Sequence, residues 1–203
     1  MSTFIWRLTG FADLAKVVSM FATIALAVLA VIAVVLIVVV ILAAVKPDSF
    51  RVERKATIKT EAGKVFPCIN DFHNWAAWSP YEKIDPNMKK TFSGAPSGKG
   101  AVYEWSGNSK AGVGRMEILE SSLSSKIGPS KITIKLDFLK PFEGHNTSEF
   151  TMSPKGDSTE VTWAIIGPMP FMAKIMHVFV NMDKMLGKDF EVGLANLKSV
   201  AER

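Results

Sequence analysis

Cysteine occurs once in the 203 residues, at Cys68, so no disulfide can close within the chain and the redox compartment stays open. Histidine is almost as scarce. His73, His145 and His177 stand far apart with no HxxxH-like spacing, which leaves no histidine metal motif. The glycine-rich "SGAPSGKG" (93–100) lacks the GxxxxGK[ST] spacing of a phosphate loop and reads as a loop between strands. The net charge of +5 is mild, and no stripe of Lys and Arg with interleaved aromatics is present, so nucleic acid is not an expected partner. No internal repeat or low-complexity linker divides the chain after residue 46. Most telling, charge is wholly missing from Val17 to Val45.

That run explains much of the 48% hydrophobic content, because only Ser19 and Thr23 interrupt it. A helix needs about 20 apolar residues to cross the hydrocarbon core, so residues 17–45 are long enough to span with tilt. The run is too long for a signal-peptide core, and "ILAAVKPDSF" is a poor cleavage site. The expectation is an uncleaved, single-pass N-terminal membrane anchor. Residues 1–16 are amphipathic, with Phe4, Ile5, Leu8, Phe11 and Leu14 among Arg7, Asp13 and Lys16, and fit an interfacial segment with Trp6 at headgroup depth. Counting Lys46, Arg51, Arg54 and Lys55 favours a cytoplasmic C-terminal side. Those charges adjoin a strand of the folded domain, however, so the orientation is left open.

Residues 47–203 read as one α+β domain. "FRVERKATI" (50–58) places Phe50, Val52, Ala56 and Ile58 on one face of a strand interrupted by Arg54. "TEAGKVFPCINDFHNW" (60–75) spaces Val65, Phe66, Ile69 and Phe72 helically, with Thr60 as N-cap. Pro67 makes that helix short or bent. Period-2 strands follow at 101–105, 115–120, 131–138, 146–152 and 160–165, joined by short turns, which implies an antiparallel sheet with one covered face. From Pro170 onward, Met172, Ile175, Phe179, Met182, Leu186, Phe190, Leu194 and Leu197 recur three or four apart, predicting one long amphipathic helix against that face.

The stretches "FRVERKATIKTEAGKVF", "INDFHNWAAWSPYEKIDPNMKKTFSG", "GKGAVYEWSGN", "GVGRMEI" and "MDKMLGKDFEVGLANLK" resemble the START-like, or polyketide cyclase/dehydrase and lipid-transport (SRPBCC), superfamily. The likeness is greatest to bacterial members with an N-terminal hydrophobic segment, which implies an inner-membrane location. It covers roughly residues 48–202. It implies a helix-grip fold, with a hydrophobic cavity between the sheet and the C-terminal helix. One departure is the first helix, where Pro stands at position 67 rather than near the start.

Within such a cavity, the expected ligand contacts from the sheet are Tyr103, Trp105, Met116, Ile134, Phe138, Phe150 and Trp163. From the helix come Met172, Ile175, Met176, Phe179 and Met182, and methionine suits adaptable apolar surfaces. In "NWAAWSPYEK" (74–83), Trp75 and Trp78 are read as packing of the connection over the cavity mouth, with ligand gating by Trp78 and Tyr81 as the sharper alternative. Cys68 reads as a small buried hydrophobe. His145, Glu104 and Glu117 fall on outward parity, and no nucleophile–base pair is visible. No catalytic residue, metal ligand or cofactor is expected. The reading is a membrane-anchored binder of a hydrophobic small molecule or lipid. Two alternatives stand beside it: a cyclase- or hydratase-type cavity enzyme using Tyr103 or Glu82 as a polar handle, and a protein-interaction module with a filled core.

Overall fold

The computed structural model describes the backbone of residues 2–124 and 128–203, and side chains from residue 16 onward within them. The amphipathic reading of residues 1–16, including the depth of Trp6, therefore concerns side chains that, Lys16 apart, lie outside the described residues. The chain forms two compact units. One comprises Met1–Lys46 with Phe171–Phe179, the other Pro47–Pro170 with Val180–Arg203.

The first unit contains two helices. Helix α1 runs unbroken over Ser2–Ala44, so the interfacial and apolar segments read from the sequence share one helix. Its stretch Lys16–Ala44 is long and apolar enough to cross a membrane, by length and composition. Helix α3, Phe171–Phe179, packs against it.

The second unit is a seven-stranded sheet covered by helices. Its strands are β1 (Ser49–Ile58), β2 (Lys89–Gly94), β3 (Ala101–Ser106), β4 (Val113–Ser122), β5 (Ser130–Lys140), β6 (Gly144–Lys155) and β7 (Ser158–Pro168). They pair antiparallel throughout in the order β1-β7-β6-β5-β4-β3-β2. A register shift between Ile118 and Glu120 inserts an extra residue into β4, which sharpens the local twist and bend. Helix α2 (Ala62–Asn70), two 3₁₀ turns (Phe72–Ala77 and Pro80–Lys83) and helix α4 (Met182–Ala201) cover the inner face. This is the expected α+β helix-grip architecture, with two principal differences from the sequence reading and a shifted helix cap.

The first difference is at the C-terminus, where two helices replace one. Asn181 takes an extended conformation, and its side chain accepts a hydrogen bond from the Lys184 amide at 3.0 Å, starting α4 afresh. The expected cap at Thr60 also moves: Glu61 is the N-cap of α2, without a side-chain bond. The second difference is strand β2, which the periodicity missed. All six of its residues are exposed, so its sequence carries no alternation to read.

Arg54, the residue that breaks the apolar face of β1, turns out to hold α4. Its guanidinium donates to Glu191 Oε1 at 2.8 Å and to both carboxylate oxygens of Asp183, at 2.9 and 3.0 Å. The two carboxylates raise the Arg54 pKa, and Arg54 in turn holds the Asp183 carboxyl below its ordinary value. Gly187 makes the approach possible, since a Cβ there would lie 2.0 Å from Arg54 Nη2. At the other end of α4, Lys198 Nζ donates to the Thr57 carbonyl at 3.0 Å, and the Lys59 amide donates to Glu202 at 2.6 Å. Arg51 and Lys55 are likewise engaged with Glu53 on the sheet. Three of the four positive charges that suggested an orientation thus serve the domain instead.

Candidate functional site

The inner surface of the sheet differs from end to end. Where β1 finishes and β7 begins, Ile58, Met152 and Val161 are all 0% exposed, and Ile132 and Ile118, further along the sheet, are equally enclosed. Each such side chain contributes on the order of 1.5–3 kcal/mol by burial. Helices α2 and α4 close this end, with Val65, Ile69, Leu194 and Leu197 at 1% exposure or less.

The middle is filled by aromatic rings. Trp163 is stacked between Phe150, with centroids 5.1 Å apart, and Phe190 of α4, at 4.1 Å. Trp78 meets Trp163 edge-on at 5.5 Å and Phe150 at 6.0 Å, and Trp75 leans on Trp78 at 4.9 Å. Pairs of this kind add roughly 0.5–1.5 kcal/mol each beyond their burial. Every indole N–H here has an acceptor: Trp75 donates to the Ile69 carbonyl (2.9 Å), Trp78 to the Cys68 carbonyl (2.8 Å) and Trp163 to Ser148 Oγ (3.0 Å). Trp78 is 0% exposed, and its own carbonyl accepts from Asn196 at 3.1 Å. The two tryptophans of residues 74–83 therefore pack the connection, tying the 3₁₀ turns to both sheet and helix. Met116, Ile134 and Phe150, named from strand parity, lie in this buried core too.

Toward the start of β1 the packing loosens. Phe50, Leu136, Phe138 and Trp105 line the inner face there and are only half-buried, as are Tyr81, Leu186 and Met182 from the covering elements. The Trp105 ring meets Phe138 at 5.8 Å and its N–H donates to the Ala111 carbonyl at 3.0 Å. Tyr81 stands edge-on to Trp163 at 6.2 Å, and burial together with the Asp189 charge pushes its phenol pKa well up. Ser79 Oγ is buried without a partner, the state in which a hydroxyl takes up a water or a polar ligand atom.

One polar group is built into the border of this apolar surface. Glu82, with 8% of its side chain exposed, accepts from Tyr103 Oη at 2.8 Å and is ion-paired with Lys90. Burial, reinforced by the Glu82 hydrogen bond, raises the Tyr103 pKa above its ordinary value. Phe92 stacks on the Tyr103 ring at 5.0 Å, and His73 stacks on Phe92 at 4.2 Å. The arrangement offers a fixed carboxylate and a phenol oxygen beside an apolar surface, both acceptors able to orient a ligand hydroxyl. Residue order offered Tyr103 and Glu82 as separate polar handles but not their pairing or the part of Lys90, because Lys90 lies on strand β2, which has no periodic signal, and Glu82 in a 3₁₀ turn.

Other titratable groups sit elsewhere. His145, on the outward face as its parity implied, pairs with Asp137 at 2.8 Å, and that bond raises its pKa. Burial pushes Asp137 upward, but His145 and Lys135 outweigh it and hold the carboxyl low. Glu104 and Glu117 flank Arg115 on the same face. Cys68 is half-buried rather than enclosed, and desolvation raises its thiol pKa. Among the described residues, no group of three His, Cys, Asp or Glu is arranged to hold a metal ion.

The α3 candidates part company with the rest. Met172, Met176 and Phe179 are 70%, 58% and 72% exposed, and they belong with Ile175 to the unit formed by α1 and α3. The helix break at Asn181 separates them from Met182, so the expected methionine lining does not continue along α4.

No curated protein is similar enough to the chain to count as a match. Solved structures with the same fold are numerous. A protein of Chromobacterium violaceum aligns with 78% of this chain and 99% of its own at 13% identity and a TM-score of 0.51. A hypothetical protein of Helicobacter pylori aligns with 75% of this chain and 88% of its own at 8% identity and a TM-score of 0.57. The major latex-like protein 151 of Panax ginseng aligns with 75% of this chain and 97% of its own at 12% identity and a TM-score of 0.53. At such identities the likeness speaks for fold alone. The family described as "Polyketide cyclase / dehydrase and lipid transport" matches residues 49–202, from the first strand to the last helix. With its antiparallel sheet gripping α4 and that match across the whole body, the chain belongs to the polyketide cyclase/dehydrase and lipid transport (SRPBCC) family.

Proposed function

We propose that this protein is a membrane-anchored binder of a hydrophobic small molecule or lipid, seated at the loosely packed end of the grip. The observation that carries this reading is the contrast within one surface. The inner face is sealed at one end, whereas at the other Phe50, Leu136, Phe138 and Trp105 remain half-buried beside the Glu82–Tyr103 pair. An apolar surface with a few convergent polar groups is the usual make-up of a small-molecule site. Family membership supports the same class of role, and so does the apolar stretch Lys16–Ala44 as an anchor. The chain enters the body at β1, next to Phe50, so an anchor in α1 tethers the domain through the end that would take the ligand. Burial of ligand surface supplies about 25 cal/mol per Å², less the cost of ordering the site.

A second reading, a cyclase- or hydratase-type enzyme, is favoured by one feature, the protonated Tyr103 phenol held against Glu82. One experiment addresses both. The full chain is isolated in lipid nanodiscs, analysed by native mass spectrometry, and extracted with organic solvent. A stoichiometric apolar adduct that Leu136→Trp excludes supports the binder. A chemically converted adduct that reverts to an unchanged one in Tyr103→Phe supports the enzyme. A clean apo mass that takes up neither lipids nor apolar probes overturns both and favours an interaction module.

A further inference from the structure

Helix α3 leaves its bulkiest apolar residues bare while covering its charged one. Lys174 is 8% exposed and His177 half-buried, whereas Phe171, Met172, Met176 and Phe179 are between 47% and 72% exposed. In water a surface helix turns its apolar stripe inward and its charges outward. Here the covered side carries Lys174 and His177 together with Ala173, Ile175 and Val178, while the side with the bulkiest apolar residues is bare. Such an apolar face, unpartnered within its own unit, marks a surface completed by something else.

Its neighbour says what that is. Helix α3 packs against α1, whose apolar stretch is exposed almost all round. Among its described side chains, the covered positions of α1 fall at its C-terminal end, where Ala43 is 0% exposed and Val39 partly covered; Lys46, just past the helix, is partly covered too. Val39 and Ala43 lie one turn apart on one face of the helix. His177 is within electrostatic range of Lys46, and burial together with that charge holds its imidazole below the ordinary value. The α3 helix thus sits at the end of the span where the chain leaves for the folded body, which is headgroup depth if α1 crosses the membrane. Nine residues extend about 14 Å, too short to cross and suited to lying flat.

Resting on the anchor reading of α1, we infer that α3 is a second membrane contact, lying in the bilayer interface with Met172, Met176 and Phe179 in the acyl region. Lys174, Lys46 and His177 then occupy the polar layer beside α1, as long basic side chains do at an interface. The occupant of the apolar face is lipid, because the face is continuous with that of a helix already assigned to lipid.

The test is site-directed spin labelling of the full chain in phosphatidylcholine/phosphatidylglycerol vesicles. Labels are introduced by Met172→Cys, Met176→Cys and Phe179→Cys on a Cys68→Ser background. Ile32→Cys reports on the span, and Ala195→Cys, on the exposed side of α4, is the aqueous reference. The expected result is an oxygen-to-nickel accessibility ratio severalfold above the Ala195→Cys reference at all three α3 positions and at Ile32→Cys. Aqueous accessibility on α3 with lipid accessibility at Ile32→Cys overturns this inference and leaves the anchor intact. Aqueous accessibility at Ile32→Cys overturns the anchor, and the inference with it. Labels on α3 shielded from both reagents show that protein, such as a second copy, covers the face, which also overturns it. Photo-crosslinking of the wild-type chain by lipids with a diazirine in the acyl chain requires no substitution. Adducts mapping to 171–179 support the inference, and their absence there alongside adducts on α1 overturns it.

Discussion

The two ends of one sheet surface are built to different standards. At the end of β1 the large inner side chains Ile58, Met152 and Val161 are sealed, and the aromatic stack of Phe150, Trp163 and Phe190 closes the middle. At the start of β1 comparable residue types, Phe50, Phe138, Leu136 and Trp105, stay half-buried. Chemistry of the side chains does not separate the ends, because both are aliphatic and aromatic. What separates them is the cover. Helix α2, the 3₁₀ turn with Trp75 and Trp78, and the C-terminal half of α4 all converge on the sealed part. Near its N-terminus, α4 is held instead by the ion pairs of Arg54. An apolar surface left unsealed beside a fixed polar pair is what a binding site requires, and the sealed end provides the stability to maintain it.

That contrast can be broken most severely in the middle. Trp163→Ala removes the ring on which Phe150, Phe190, Trp78 and Tyr81 all rest. The expected loss is about 3–5 kcal/mol, read as a fall of roughly 10 °C or more in Tm by thermal unfolding. A loss under 1 kcal/mol would mean that the middle is no tighter than the open end. Phe138→Ala tests the open end. A half-exposed ring forfeits only part of the transfer term, so chemical denaturation is expected to show about 1–2 kcal/mol, with any apolar-ligand affinity falling too. If Phe138→Ala costs as much as Trp163→Ala, the two ends are equivalent and the start of β1 holds no unsealed site.

The smallest effect sharpens the polar border. Tyr103→Phe keeps the ring stack with Phe92 and removes the hydroxyl given to Glu82. About 1 kcal/mol of stability is expected to go at neutral pH. The folded-state pKa of Tyr103 is raised above its ordinary 10.0, so its contribution is fully present below that value and is lost as pH rises beyond it. Denaturation curves of wild type and Tyr103→Phe should therefore differ by a constant amount below pH 10 and converge above it. A difference that does not narrow would show that the phenol does not titrate with unfolding.

Much of this was legible in residue order. The apolar run from Val17 to Val45, the alternation of β3 to β7 and the stripe of α4 specify an apolar helix and a one-sided antiparallel sheet with a helix upon it. They do so because the periods of 2 and 3.6 are local properties of the backbone. Inward residues such as Ile134, Phe150 and Trp163 follow from parity for the same reason, and the family resemblance supplied the grip. The break before α4 was also written in the chain, as the Asn181 cap with Asp183 in the first turn, but the continuous apolar stripe across it masks the signal. Only the tertiary structure decided the rest. It assigned Met172, Met176 and Phe179 to a helix against α1 rather than to the grip, because a helical stripe says that a face is apolar and not what it meets. It turned Arg54 from an interruption into the clasp of α4, and it joined Glu82, Tyr103 and Lys90 across three separate elements. Such pairings depend on which elements come together in space, and periodicity along a chain carries no record of distance across it.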